Sequence, residues 1–193
     1  MIQNQFKENK EQPPKFSAFG GQSTGKKRKK RTVSEYKKSL EEKQALKRLY
    51  GLSEKQFKRY VKEILAMRKV ENVADELMKR LEKRLDNVVL RLGFTKSQGQ
   101  ARQLVSHGYF LVNEKPVNIP SFQVKKGDTI AIKNSKKKKL IFKDLPQKLK
   151  KLQTPDWLSL DKDKLEGKIM RYPNLAEVNP PVEISLIFEF YSR

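Results

Sequence analysis

The side chains with chemistry to offer are cations. Arg80, Arg84 and Arg91 fall within about 40° of arc if the chain around them is helical, at about 100° per residue. Arg102 and Gln103 follow, and six cations stand side by side as Lys26-Lys27-Arg28-Lys29-Lys30-Arg31. Such groups do not make or break bonds. A guanidinium fork grips a phosphate through parallel hydrogen bonds, and ammonium groups displace the counterions of a polyanion. The arginines read either as solvated neighbours of an apolar stripe or as groups offered to phosphates at its edge. Bond-making residues are scarce. The chain has no Cys and a single His, His107, which excludes disulfides, thiolate metal sites, a Cys nucleophile and multi-His metal sites. Asp161 and Asp163 come nearest to paired carboxylates, but a Lys-rich loop around them reads as a solvated turn. His107 has no nucleophile or carboxylate motif beside it and reads as a surface or cap residue. The pattern is that of a binding protein rather than an enzyme.

The charge supports a polyanionic partner. Among 193 residues, 44 are Lys or Arg and 22 Asp or Glu, a formal net charge of +22. The excess is uneven: residues 1–33 carry +7, 34–93 carry +6, 94–142 carry +8 and 143–193 only +1. A coat of Lys added for solubility would not stop at residue 142, so the binding surface is expected in the first three segments. Hydrophobic residues make up 36%, with ten Phe, six Tyr and one Trp, enough for a thin core. No apolar run approaches the roughly 18 residues that span a bilayer, and Met1 to Glu11 shows no signal-peptide pattern. The expectation is a soluble intracellular protein without a membrane partner.

The elements that must position these residues follow from caps and periodicity. Residues 1–33 show neither helical nor strand period and read as a basic, flexible extension: a solvated tail, an import signal, or a segment that orders on nucleic acid. Ser34 predicts a helix from Glu35 to about Leu49, and Ser53 another to about Met67. Asn72 predicts a third, long helix whose Leu77, Leu81, Leu85, Val88 and Leu92 share one face, ended by Gly93. Ser97 and Gln100 form a capping box for a short helix that buries Ala101, Leu104 and Val105 and stops at Gly108. Strands are expected at Tyr109–Val112, Lys115–Ile119, Phe122–Val124 and Thr129–Ile132, with Pro116 arguing for an edge. Lys136 to Lys139 either closes a strand end or touches phosphate. Asp144 to Leu152 reads as helical and Trp157–Leu160 and Leu165–Met170 as extended. Ile184–Tyr191 is apolar enough to demand burial.

Leu81-Glu82-Lys83-Arg84-Leu85-Asp86-Asn87-Val88-Val89, then Arg91-Leu92-Gly93-Phe94, Ala101-Arg102-Gln103-Leu104-Val105-Ser106-His107-Gly108, Val112-Asn113, Ile119-Pro120-Ser121 and Gly127-Asp128 closely resemble the bacterial form of the small-subunit ribosomal protein four family. The resemblance runs upstream through Leu49-Tyr50-Gly51-Leu52-Ser53-Glu54-Lys55-Gln56-Phe57. Downstream it takes in Pro155-Asp156-Trp157-Leu158, Leu165-Glu166-Gly167 and Tyr191-Ser192-Arg193, so it spans roughly residues 34–193. It implies an α+β fold: a helical domain over 34–83, an RNA-binding module over 84–142 with a short helix pair on an antiparallel sheet, and residues 143–193 returning to complete the helical domain. It implies no cofactor and no catalysis. A pseudouridine synthase carrying the same module would need a further catalytic domain, for which 143–193 is too short. A small stress protein carrying it would lack the flanking resemblance.

The family binds 16S rRNA at a helix junction of the 5′ domain and nucleates small-subunit assembly. It also neighbours ribosomal protein five and the path along which messenger RNA enters, where it affects decoding accuracy. The expected location is the small ribosomal subunit of the cytoplasm, or of a bacterial-type organelle. The rRNA-binding residues expected on this basis are Lys26, Lys27, Arg28, Lys29, Lys30, Arg31, Arg48, Arg59, Arg80, Arg84, Arg91, Lys96, Ser97, Arg102, Gln103, His107, Lys115 and Lys125. Glu177 and Glu183 are expected to face protein. Zinc-binding cysteines of some members have no counterpart, so no zinc is expected. Glu114 stands where the family often has Gly, which argues against a tight turn with positive φ.

Overall fold

A computed structural model describes residues 34–67 and 70–192; the basic run Lys26–Arg31 lies outside them. The fold is α+β. In α1 (Glu35–Leu49) the Ser34 hydroxyl accepts the Lys37 N–H, and α2 (Glu54–Leu65) opens on a full capping box between Ser53 and Gln56. Asn72 caps α3 (Val73–Glu82) through two backbone N–H groups.

The long helix expected from Asn72 to Leu92 is instead two. After α3 the chain takes one extended residue, Arg84, and starts again as α4 (Leu85–Arg91). The reason lies in Pro120–Val124, within which Phe122–Val124 does not form the expected strand. The Phe122 and Pro120 carbonyls accept the N–H groups of Leu85 and Asp86, the Val124 N–H donates to the Lys83 carbonyl, and Gln123 bridges Arg84. Donors that an unbroken helix would bond internally are thus satisfied by a neighbouring segment.

Next come α5 (Gln98–Ser106), β1 (Phe110–Val112), β2 (Lys115–Pro116), β3 (Thr129–Ile132), the single turn α6 (Asn134–Lys137), α7 (Leu145–Lys151), β4 (Leu158–Asp161), β5 (Glu166–Ile169), the short α8 (Leu175–Val178) and α9 (Ile184–Ser192). The strands form one antiparallel sheet in the order β2-β1-β3-β5-β4, with Pro116 on the edge. The β1–β2 turn contradicts the expectation from Glu114. Asn113 and Glu114 both take positive φ, 48° and 66°. Non-glycine residues there cost about 1–3 kcal/mol each. Asn113 offsets this by donating to Asp128 and accepting the Thr129 N–H, which fastens the turn to the start of β3.

Two hydrophobic cores result. One joins Val88, Val89 and Leu92 of α4 and Ala101, Leu104 and Val105 of α5 to Phe110, Val112, Ile130, Ile132 and Ile169 of the sheet. Gly167 lets β5 lie against Leu92, whose methyls would stand 2.4 Å from an added Cβ. The second core packs Leu46, Phe57, Val61, Ile64, Leu77 and Leu81 of the helices against Ile184, Ile187 and Phe188 of α9. Residues 143–193 therefore do not return as one segment. Trp157, Leu158 and Ile169 belong to the sheet core, and only α8 and α9 close the helical part. The Lys136–Lys139 run begins as the helical turn after β3; Lys137 bonds the Lys164 carbonyl, and the Lys136 ammonium lies 4.9 Å from the Tyr109 ring centre.

Candidate nucleic-acid interface

The break between α3 and α4 puts two buried carboxylates, Glu82 and Asp86, at the seam between helical and sheet parts, both 0% exposed. Asp86 takes the Arg84 fork, Nε at 3.0 Å and Nη2 at 2.6 Å, while Nη1 donates to the Tyr60 hydroxyl at 3.0 Å. Arg84 is 1% exposed. Burial opposes its charge, but the Asp86 hydrogen bonds outweigh that and hold its pKa above the ordinary value. Arg84 is therefore corrected from an expected RNA contact to a core residue. A periodic stripe cannot tell an outward arginine from an inward one once the helix is broken.

Glu82 accepts from Tyr50 and Asn87, and takes Arg91 Nη2 at 2.7 Å and Nε at 3.1 Å. Burial and the Glu82 charge push the Tyr50 phenol well above its usual range. The Arg91 side chain remains 36% exposed. Arg102 adds a third stitch: from α5 it donates to the Gly51 carbonyl at 2.5 Å and to Gln56 at 3.2 Å. Gly51, at φ 58°, makes the tight α1–α2 turn that offers this carbonyl.

The other expected contacts sit as follows. Arg59 is exposed on α2, 3.7 Å from Glu63. Arg80 is more enclosed, held by Glu63 at 2.8 Å and Glu76 at 3.2 Å. Arg48 lies exposed in the last turn of α1. Ser97 caps α5, Lys96 and Gln103 are exposed, and His107 is the exposed C-cap of the same helix. Lys115 is exposed on edge strand β2, and exposed Lys125 follows Val124, which bonds Lys83 at the break. Asp161 accepts the N–H groups of Asp163 and Lys164, so it shapes the β4–β5 turn. Glu177 pairs with Arg171 at 2.5 Å and Glu183 with Lys38 at 3.3 Å, the latter beside an open groove lined by Asn72, Asp75, Leu175 and Val182.

Sequence reasoning named Arg59 on α2 but missed the lysines around it. Lys55, Lys58, Arg59 and Lys62 are all exposed and recur at i, i+3, i+4 and i+7, one face of α2 opposite buried Phe57, Tyr60, Val61 and Ile64. The helical period alone would have found them. This stripe begins at Lys55, next in sequence to Gln56, which Arg102 of α5 reaches.

Two family descriptions match the chain and meet at the break: "Ribosomal protein S4/S9 N-terminal domain" over residues 6–82 and "S4 domain" over residues 83–130. Small ribosomal subunit protein uS4 of Kosmotoga olearia is 47% identical over 163 residues, covering 84% of this chain and 77% of that protein. The chain belongs to the uS4 family. The protein of the same name from Persephonella marina is 47% identical over 83% of this chain and 78% of its own length, and that of a Sulfurihydrogenibium species 44% identical over 89% and 82%. The family is structural and non-enzymatic. Strands β4 and β5 lie beyond the stretch matched by the S4 domain, yet they share its sheet.

Proposed function

We propose that this chain is a constituent of the small ribosomal subunit that binds 16S rRNA at a helix junction of the 5′ domain and nucleates assembly there. The observation that carries this reading is the seam. Buried pairs fix the helical part against the sheet part, Arg91 and Arg102 that help tie it remain partly exposed, and the α2 cations, exposed, begin next to Gln56, which Arg102 grips. The deep, narrow major groove of A-form RNA hides base edges, so a rigid cationic surface recognises the arrangement of RNA helices and their phosphates. The proposed contacts are Arg48, Arg59, Arg91, Lys96, Ser97, Arg102, Gln103, His107, Lys115 and Lys125, with Lys55, Lys58 and Lys62 added. Arg80, shared between two carboxylates, contributes by exchanging one of them for phosphate, and Lys26–Arg31 contribute phosphate contacts of their own. The weakly charged groove near Glu183, with Glu177, faces ribosomal protein five, and the same neighbourhood bears on messenger RNA and decoding accuracy.

The test is equilibrium binding of the full chain to 16S rRNA across a salt series. Each neutralised phosphate contributes about 0.7–0.9 to the log–log slope. A slope steeper than about −4 is expected from five or more contacts, and one shallower than about −2 would overturn the reading.

A further inference from the structure

Arg91 meets Glu82 only because the helix is broken between them. Nine residues apart on one continuous helix, they would stand on opposite faces and about 13.5 Å apart along the axis. The extended residue at 84 turns α4 back, so that Arg91 Nη2 and Nε reach the two oxygens of Glu82. That carboxylate is fully buried and takes four donors from two elements: Tyr50 at the end of α1, and Asn87 and Arg91 on α4, the last giving two.

The neighbouring pair shows what is special here. Arg84 uses the same Nε–Nη2 edge on Asp86, gives Nη1 to Tyr60 and is 1% exposed, so no donor reaches the surface. Arg91 commits the Nε–Nη2 edge to Glu82, with the Tyr50 hydroxyl close enough to add to its stabilisation, but remains 36% exposed. Its outer Nη1–Nη2 edge has the fork geometry that matches two phosphate oxygens.

Resting on the proposed RNA binding, the structure assigns to Glu82 the part of a positioning residue: its buried carboxylate aims the outer edge of Arg91 at an RNA phosphate beside the seam. Glu82 never touches RNA. It adds no attraction for phosphate, since its charge cancels that of Arg91 in the long-range field. Its contribution is that Arg91 loses its rotamer freedom during folding rather than at the moment of binding, which is how preorganisation raises affinity.

The experiment is a double-mutant cycle of Glu82→Gln and Arg91→Met on affinity of the full chain for 16S rRNA, at a temperature where every variant is folded by circular dichroism. Glu82→Gln keeps the volume but replaces one acceptor by a donor facing donors. Each single change is expected to weaken binding about tenfold or more, as for loss of one hydrogen bond to a charged group. The double variant should be no weaker than Arg91→Met alone, and Arg91→Lys should not restore affinity, because an ammonium lacks the fork.

Unchanged affinity in Glu82→Gln, losses that multiply, full rescue by Lys, or wild-type affinity in Arg91→Met would each overturn the assignment, and the RNA-binding reading would stand. Failure of the unchanged protein to bind 16S rRNA would instead sink that reading itself. If Glu82→Gln does not fold, the unchanged protein decides. The Arg91 Nε–H should give a slowly exchanging nuclear magnetic resonance signal before RNA is added, and rapid exchange there would refute the positioning role.

Discussion

The helical part and the sheet part close their cores in different ways. The sheet core is apolar: Phe94 stacks on Phe110 at 6.2 Å, and side chains from α4, α5, α7 and the strands, with Phe142 and Trp157, fill the rest. The helical core is closed by α9, which comes from the far end of the sequence and is fastened by charged and polar groups around its rim. Lys43, almost fully buried, lies 4.3 Å from the Phe190 ring centre and bonds Glu54 at 2.8 Å. The Tyr191 hydroxyl reaches the same carboxylate at 2.8 Å, and Lys47 adds a third donor at 3.1 Å. Burial opposes ionisation of Glu54, but the hydrogen bonds from Lys43, Tyr191 and Lys47 win and hold its pKa at about 2. The sheet core thus depends mainly on packing, while the helical core also carries a fastening that acid and salt can reach.

The largest expected effect removes the distinction. Asp86→Ala leaves the Arg84 guanidinium buried without its carboxylate, a change that costs about 3–5 kcal/mol. Because the pair joins the two parts, urea unfolding should show both destabilised together; a loss confined to one part would mean that the seam does not couple them. Ile187→Ala, at a fully buried site in α9, should cost about 2–4 kcal/mol and sharpen the contrast. Hydrogen exchange of α1 amides should accelerate while β1 and β3 amides stay protected. Equal acceleration everywhere would show a single cooperative unit.

The acid effect is smaller. Glu54 has a folded pKa depressed from 4.5 to about 2, so its stabilisation is present above pH 4.5 and is lost as pH falls from there toward 2. With the side chain 45% exposed, screening keeps this below about 1 kcal/mol. Glu54→Gln should flatten the pH dependence in that window, and a slope identical to the unchanged protein would remove Glu54 as its source. Smallest of all, Lys38→Ala breaks an ion pair with both partners more than half exposed and should change stability by less than about 0.5 kcal/mol in low salt and not at all in high salt.

Local signals in the sequence carried much of this architecture. Ser34, Ser53, Asn72 and Ser97 cap the helices they announce, and Pro116 marks an edge strand. Signals failed where a distant segment decided the outcome. Leu77 to Leu92 keep helical phase across the break, so the pattern cannot reveal that carbonyls from Pro120 and Phe122 interrupt the helix. That one event moved Arg84 inside and paired Arg91 with Glu82, so the arginine stripe was legible as a group while Arg84 was misplaced within it. The Asn113–Glu114 turn was misjudged because local preference for φ ignores the tie from Asn113 to Asp128 and Thr129. The α2 lysines beside Arg59 were legible and overlooked.

The interleaving of the two cores also sets a timetable for synthesis. The sheet is complete once Ile169 has been made, while α1, finished at Leu49, must wait for Ile187 and Phe188 of α9. At about 5–20 residues per second, the 23 residues from 170 to 192 take roughly one to five seconds. Until α9 arrives, the chain carries an open helical face rich in leucine and aromatic side chains. A pause in translation before α9 is complete would lengthen the exposure of this face, making the rate of elongation over these last residues a determinant of how much protein escapes aggregation.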